Sequence, residues 1–280
     1  MKFTPRELHG NVNVSATHPL IELAWMVGGL LLIALTFLLV LSLGTDYAAS
    51  HLNPQQERWL GEHLPAPFPA ESSPALQNRL DELLQKLPAD SPLRNYPFSV
   101  QVVETPEVNA VALPGWKIVV FRGLLNKVGS ENELGMILAH ELGHFANRDH
   151  LRGLGRGLGI TVLSLVLFGQ DSSVSDAAVK FLLGASSHYS RQQETDADRF
   201  GLELLVTRYG HAGGATDFFR RFDAEAGSRI PYLLASHPHP GDRIKAIEEL
   251  IASAGYPLQE VAPLSQEFVQ QETPESKEQN

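Results

Sequence analysis

The sequence predicts an α+β fold, mainly helical, with a small β-sheet, set behind one N-terminal transmembrane helix. Three observations predict it. A charge-free apolar stretch runs from Leu23 to Leu43, leucines recur at helical spacing over residues 74–87, and two short β-branched segments lie between that helix and the next. The chain has 280 residues, of which 43% are hydrophobic and 19% charged, enough apolar material for a packed core. Its formal charge is 22 − 32 = −10, which disfavours nucleic acid as a partner because phosphate binding needs a basic surface. There is no cysteine, so disulfides, thiolate metal sites and a cysteine nucleophile are excluded.

The stretch Leu23–Leu43 is long enough to cross a hydrocarbon core of about 30 Å. It begins later and runs longer than the apolar core of a cleaved signal peptide, and Trp25 stands near one end. Lys2 and Arg6 precede it, and the first basic residue after it is Arg58. The positive-inside bias then places the N-terminus in the cytoplasm and the rest of the chain outside. Residues 44–73 are polar and proline-bearing and read as a tether with some helix.

Ser73-Pro74 is a helix start, and Leu76, Leu80, Leu83, Leu84 and Leu87 follow on one face. Phe98, Val100 and Val102 alternate as in a strand. Trp116–Phe121 forms a second strand after the turn Leu113-Pro114-Gly115. Ser130 and Glu133 make a capping-box pattern ahead of a helix that buries Leu134, Ile137, Leu138, Leu142 and Phe145. Residues 157–169 are apolar but too short to span a bilayer, and read as a core helix or a membrane-touching hairpin. Further helices are expected at 190–207, 214–225 and 241–253. The segment after Pro263 is polar and acidic and is expected to be disordered.

The chemistry centres on His140-Glu141-Leu142-Gly143-His144. On a helix, residues four apart share a face, so both imidazoles can reach one metal ion. Glu141 stands beside them and can act on a water without being a ligand. A zinc hydrolase needs a third protein ligand and an open fourth position. His150 has the spacing of the extended metzincin motif, with Asn147 at the position of its glycine. Those enzymes also need a downstream methionine turn, and Met1, Met26 and Met136 all precede the motif. His150 then ends the helix as a polar residue. The favoured third ligand is Glu194, with Asp198 one turn later on the same face to hydrogen-bond a ligand histidine.

Four pieces in order, NAVALPGWKIVVFRGLL, AHELGHFANRDH, SRQQETDADRFG and SHPHPGDRI, resemble the membrane-associated gluzincin endopeptidases that include HtpX and the CAAX prenyl proteases. The resemblance spans residues 95–250. Val111 and Trp116 depart from the phenylalanine and glycine commonest there. It implies a zincin-like metalloprotease domain with one Zn2+ per chain, held by His140, His144 and Glu194, and with Glu141 as general base. It also implies that His237 and Arg243 approach the zinc and help to hold the oxyanion, for which both are suitable donors. His239 is read as structural.

The segment Asn109, Ala110, Val111, Ala112 is expected to be an edge strand able to pair with an extended peptide. The expected substrate is unfolded or membrane-associated polypeptide, in protein quality control, and the expected location is the bacterial inner membrane with the catalytic domain periplasmic. The expected organisation is an N-terminal segment (1–22), a single transmembrane helix in the lipid bilayer (23–43), a tether (44–73), a zinc metallopeptidase domain (74–256) and a disordered acidic tail (257–280). Two rival classes remain open. One is a non-catalytic or latent membrane-anchored chaperone or scaffold whose zinc is closed by a fourth ligand, for which His237 is available. The other is a metal hydrolase of non-peptide substrates.

Overall fold

The computed structural model describes residues 18–64, 69–168, 189–224, 237 and 240–268, without the side chains of 160–168 and 222–224. The chain divides into two compact units, residues 1–44 and 45–280. The first helix, α1 (Pro19–His51), runs through the boundary. Its 33 residues extend for about 50 Å at 1.5 Å per residue, longer than the apolar stretch within it. Leu23, Trp25, Leu31, Leu35 and Leu39 are all exposed, and it is the one helix among the described residues long and apolar enough to span a membrane. An exposed apolar surface of this length is what lipid covers.

Leu52 and Asn53 separate α1 from α2 (Pro54–His63), which Asn53 caps by accepting from the Gln56 amide. After β1 (Glu71–Ser72) comes α3 (Pro74–Lys86), capped by Ser73 with Pro74 in its first turn. Leu76, Leu80 and Leu83 of α3 are fully buried. A 3-10 turn (Pro92–Asn95) leads into β2 (Ser99–Val103), β3 (Ala110–Leu113) and β4 (Lys117–Phe121).

The sheet order is β1-β2-β4-β3, with β2 parallel to β4 and the other two pairs antiparallel. Thus β4 enters between β2 and β3, and β3 is an edge strand. The alternation of the strands sorts two faces. Val100, Val102, Ala110, Ala112, Ile118 and Val120 join the main core, while Val103, Val111, Val119 and Phe121 pack on the other side. The β3–β4 turn carries positive φ at Gly115 (80°) and at Trp116 (60°). That left-handed backbone explains why glycine suits position 116. Here Trp116 occupies it with its ring buried and stacked on Tyr96 at 4.9 Å.

A short helix, α4 (Arg122–Leu125), precedes α5 (Glu131–Ala146). Ser130 accepts from the Glu133 amide as expected, but the reciprocal half of the capping box is replaced. The Glu133 carboxylate accepts from the Gly129 amide and pairs with Arg221. Then follow α6 (Asp149–Phe168), α7 (Arg191–Tyr209), α8 (Asp217–Ala224) and α9 (Pro240–Ala254). The apolar run 157–169 continues the α6 backbone to Phe168, and its side chains beyond residue 159 lie outside the described residues.

Two segments differ from the sequence expectation. Within the expected tether, α2 packs on the domain. Gly61 lies against the β3–β4 turn, where a Cβ would meet the Pro114 carbonyl oxygen at 2.5 Å, and Lys117 donates to the Gly61 carbonyl. Within the expected disordered tail, residues 257–268 follow α5. The Glu131 amide donates to the Ala262 carbonyl, Ala262 donates to the Asn132 side chain, and Phe268 is buried in the core beneath Arg79. Residues 269–280 lie outside the described set.

Candidate metal centre

The centre forms where α5 and α7 press together, and small residues permit the approach. A Cβ at Gly143 would meet the Ala197 Cα at 2.8 Å, and one at Gly201 would meet the His140 amide nitrogen at 3.1 Å. At that separation, Glu194 on the first turn of α7 reaches the face of α5 that carries His140 and His144. Ser190 and Gln193 fix this first turn through a reciprocal capping box.

His140 Nε2 and His144 Nε2 lie 3.1 Å apart. Glu194 contributes Oε2 at 3.6 Å from the first and Oε1 at 3.7 Å from the second. His237 adds Nδ1, 3.2 Å from His140 Nε2 and 3.0 Å from Glu194 Oε1. These four side chains are buried, and their ligand atoms all lie within 4.8 Å of one another. The outer nitrogens of the two α5 histidines are occupied: His140 Nδ1 by Asp198 Oδ1 and His144 Nδ1 by Asp149 Oδ2, each at 3.0 Å. Carboxylates there hold the Nδ1–H tautomer and leave the Nε2 lone pairs converging on one point. Two or three imidazoles with one carboxylate is a donor set suited to zinc, so the residues present fit the ion.

Burial is the largest influence on these groups. It lowers the His140 and His144 imidazoles and raises the Glu141 carboxyl. For Glu194 and Asp198 burial acts upward but loses. His237 and Arg243 hold Glu194 far below the ordinary carboxylate range, and Arg243 holds Asp198 down. His237 is pulled down by burial, but the adjoining Glu194 carboxylate turns the net shift upward.

Glu141 sits next to this cluster with its Oε1 3.8 Å from His237 Nε2, and its Oε2 has no hydrogen bond among the described residues. Arg243, on α9, is buried and engaged. Its Nε and Nη2 both donate to Asp198, at 2.8 and 2.6 Å, and Nη1 lies 2.9 Å from Glu194 Oε2. Of the expected substrate strand, Ala110, Val111 and Ala112 belong to edge strand β3 and Asn109 immediately precedes it; all four are buried. His239, Ser236 and Pro238 lie outside the described residues.

Three residues beside the centre carry no helical-spacing signal in the sequence. Asp149 follows Arg148, whose φ of 57° breaks the helix and turns Asp149 back onto His144. Gln193 donates to Asp149 at 2.6 Å, and Tyr189 stacks on the His144 ring at 3.7 Å. Asn147, at the glycine position of the metzincin spacing, is right-handed (φ −89°), and the left-handed residue is Arg148. His150 differs too. It does not end α5 but lies in the first turn of α6, buried, with Nε2 3.0 Å from Glu57 Oε1. Its partner is a carboxylate on α2, and it is not a member of the metal-type cluster.

Several sequence relatives carry the names of proteases. The chain is 33% identical over 163 residues to the mitochondrial metalloendopeptidase OMA1 of Arabidopsis thaliana, covering 58% of this chain and 33% of that one. It is 29% identical over 208 residues to a putative beta-barrel assembly-enhancing protease of Vibrio cholerae, covering 70% and 43%. With the metalloprotease YcaL of Escherichia coli it shares 29% identity over 163 residues, covering 56% and 63%. The chain thus spans only a third to under a half of the length of the first two. The sequence pattern of peptidase family M48 matches residues 74–251, from the first turn of α3 into α9, and so takes in His140, Glu141, His144, Glu194, Asp198, His237 and Arg243. With the whole cluster inside that match, the chain belongs to peptidase family M48.

Proposed function

We propose that this chain is a membrane-anchored zinc metalloendopeptidase. The observation that carries the proposal is the convergence of His140 Nε2, His144 Nε2 and a Glu194 carboxylate oxygen on one buried point, with Glu141 alongside. His140, His144 and Glu194 would hold one zinc ion, with Asp198 and Asp149 keeping the two ring tautomers. When bound, zinc supplies Lewis acidity towards a peptide carbonyl and towards water. Glu141 takes the proton from the attacking water on a carboxylate oxygen and delivers it to the leaving amine nitrogen. Its burial, which raises its proton affinity, suits a group that must accept and then return a proton.

Asn109, Ala110, Val111 and Ala112 offer edge-strand backbone to an extended substrate, a mode that reads main chain and tolerates many side chains. That suits unfolded or membrane-associated polypeptides and a role in protein quality control. We assign Arg243, expected as an oxyanion donor, to positioning. Its donors are directed at Asp198 and Glu194, which leaves His237 Nε2, facing Glu141, as the oxyanion donor. The narrower kinship with HtpX and the CAAX prenyl proteases rests on the four sequence pieces above. The same reading keeps a single span at 23–43 in a bacterial inner membrane, with the catalytic domain periplasmic, and a peptidase domain over 74–256. Stripping the purified protein with a chelator should abolish casein cleavage, and stoichiometric zinc should restore it. Cleavage that survives complete metal removal would defeat the proposal.

A second reading has its own observation. His237 Nδ1 lies among the three donor atoms, 3.0 Å from Glu194 and 3.2 Å from His140, where it can close the fourth position. The resting protein is then latent. If so, His237→Ala keeps zinc and raises basal cleavage of a fluorogenic peptide. If His237 is an oxyanion donor, the same change lowers kcat and kcat/KM together with KM little altered.

A further inference from the structure

The turn between α5 and α6 serves two masters. Its Asp149 stands behind His144, and the rest of it is gripped by the segment that leads out of α1. Arg148 Nη1 donates to two carbonyls at the C-terminal end of that helix, Ala49 at 2.8 Å and Leu52 at 2.7 Å. These are terminal carbonyls that lack intrahelical partners, so the guanidinium completes the end of α1. Arg152 lies between Asp46, with Nε 3.2 Å from its Oδ1, and Asp149, with Nη1 3.2 Å from its Oδ1. A continuous polar chain therefore runs Asp46–Arg152–Asp149–His144.

The second grip comes from α2. Glu57 and His150 are 5% and 2% exposed and pair at 3.0 Å, while the His150 ring packs on Phe145 at 4.4 Å. A charged residue this deeply buried is retained only with a partner. Losing Glu57 would leave the buried His150 Nε2 without its acceptor, one residue from Asp149. Four contacts from Asp46, Ala49, Leu52 and Glu57 thus converge on Arg148, His150 and Arg152, around the Asp149 that meets His144.

We propose that the segment from Asp46 to Glu57 is a positioning element of the metal centre, acting through Arg148, His150 and Arg152 to hold Asp149 against His144. The proposal rests on the zinc reading above. It makes the last turns of α1 and the start of α2 part of the site's support, although the family pattern begins only at residue 74. Loss of an outer-shell partner of a metal-bound histidine costs about 10–100-fold in metal affinity. A contact one step further out is expected at the low end of that range.

The test uses full-length protein in detergent micelles, loaded with zinc, and follows transfer of zinc to a chromogenic chelator. Glu57→Ala is expected to speed release about tenfold, and Glu57→Gln, which keeps an acceptor oxygen for His150, to restore the wild-type rate. Arg148→Gly removes both carbonyl contacts while keeping a residue suited to positive φ, and should also speed release. With cobalt in place of zinc, Glu57→Ala and Arg148→Gly should shift the visible absorption bands, and kcat should fall with KM unchanged. If Glu57→Ala does not fold, Arg148→Gly decides the matter. Wild-type release and an unshifted cobalt spectrum in a folded variant, with only the melting temperature lowered, would overturn the proposal while leaving the zinc reading intact. Wild-type protein that binds no metal would overturn both.

Discussion

Each of the two α5 histidines has its outer nitrogen held by a carboxylate, but only one of those carboxylates is readable from spacing. Asp198 stands one helical turn from Glu194, so the pair follows from the period of α7. Asp149 depends on the left-handed Arg148, a backbone choice that a non-glycine residue seldom makes and that no pattern announces. The same turn moves His150 off α5 and into its pairing with Glu57. Asp149→Ala is expected to keep the fold and weaken zinc binding by about 10–100-fold, read by competition with a chelator. Glu194→Ala removes a donor atom itself, so equilibrium dialysis should find no stoichiometric zinc.

At the scale of elements, α3 and α5 are legible because their apolar residues are periodic and their starts are capped by Ser73 and Ser130. Leu76, Leu80 and Leu83 of α3 follow the helical period and are fully buried. Leu80→Ala should cost about 2–5 kcal/mol of stability, measured by denaturant unfolding. The packing of α2 and of residues 257–268 was not legible. Both lack a periodic apolar face and are held by tertiary contacts: the close approach of Gly61 to Gly115, the Asn132 side chain on Ala262, and one buried aromatic, Phe268. The contact of α5 with α7 depends likewise on the absence of a side chain. Gly143→Ala puts a methyl 2.8 Å from the Ala197 Cα, inside contact distance of backbone that cannot step aside. It should destabilise by about 1–3 kcal/mol and lower zinc affinity together, because the helices that separate are the two that carry the ligands.

For the whole molecule, the family pattern and the apolar helix describe a zincin-like domain with a small four-stranded mixed sheet behind one N-terminal apolar helix. The orientation proposed for it is open to a direct check. Alkaline phosphatase fused after Asn280 should be active, and a fluorescent protein that matures only in the cytoplasm should stay dark; the reverse pattern would invert the topology. In the proposed peptide hydrolysis, the carboxylate beside the zinc-type cluster moves the proton. Glu141→Gln tests it most directly, because glutamine can hydrogen-bond water but cannot take its proton. Zinc content and peptide cleavage are measured on the same samples of wild type and variant. Full zinc is expected in both, and cleavage in the wild type alone. Cleavage by Glu141→Gln at close to the wild-type rate would contradict this.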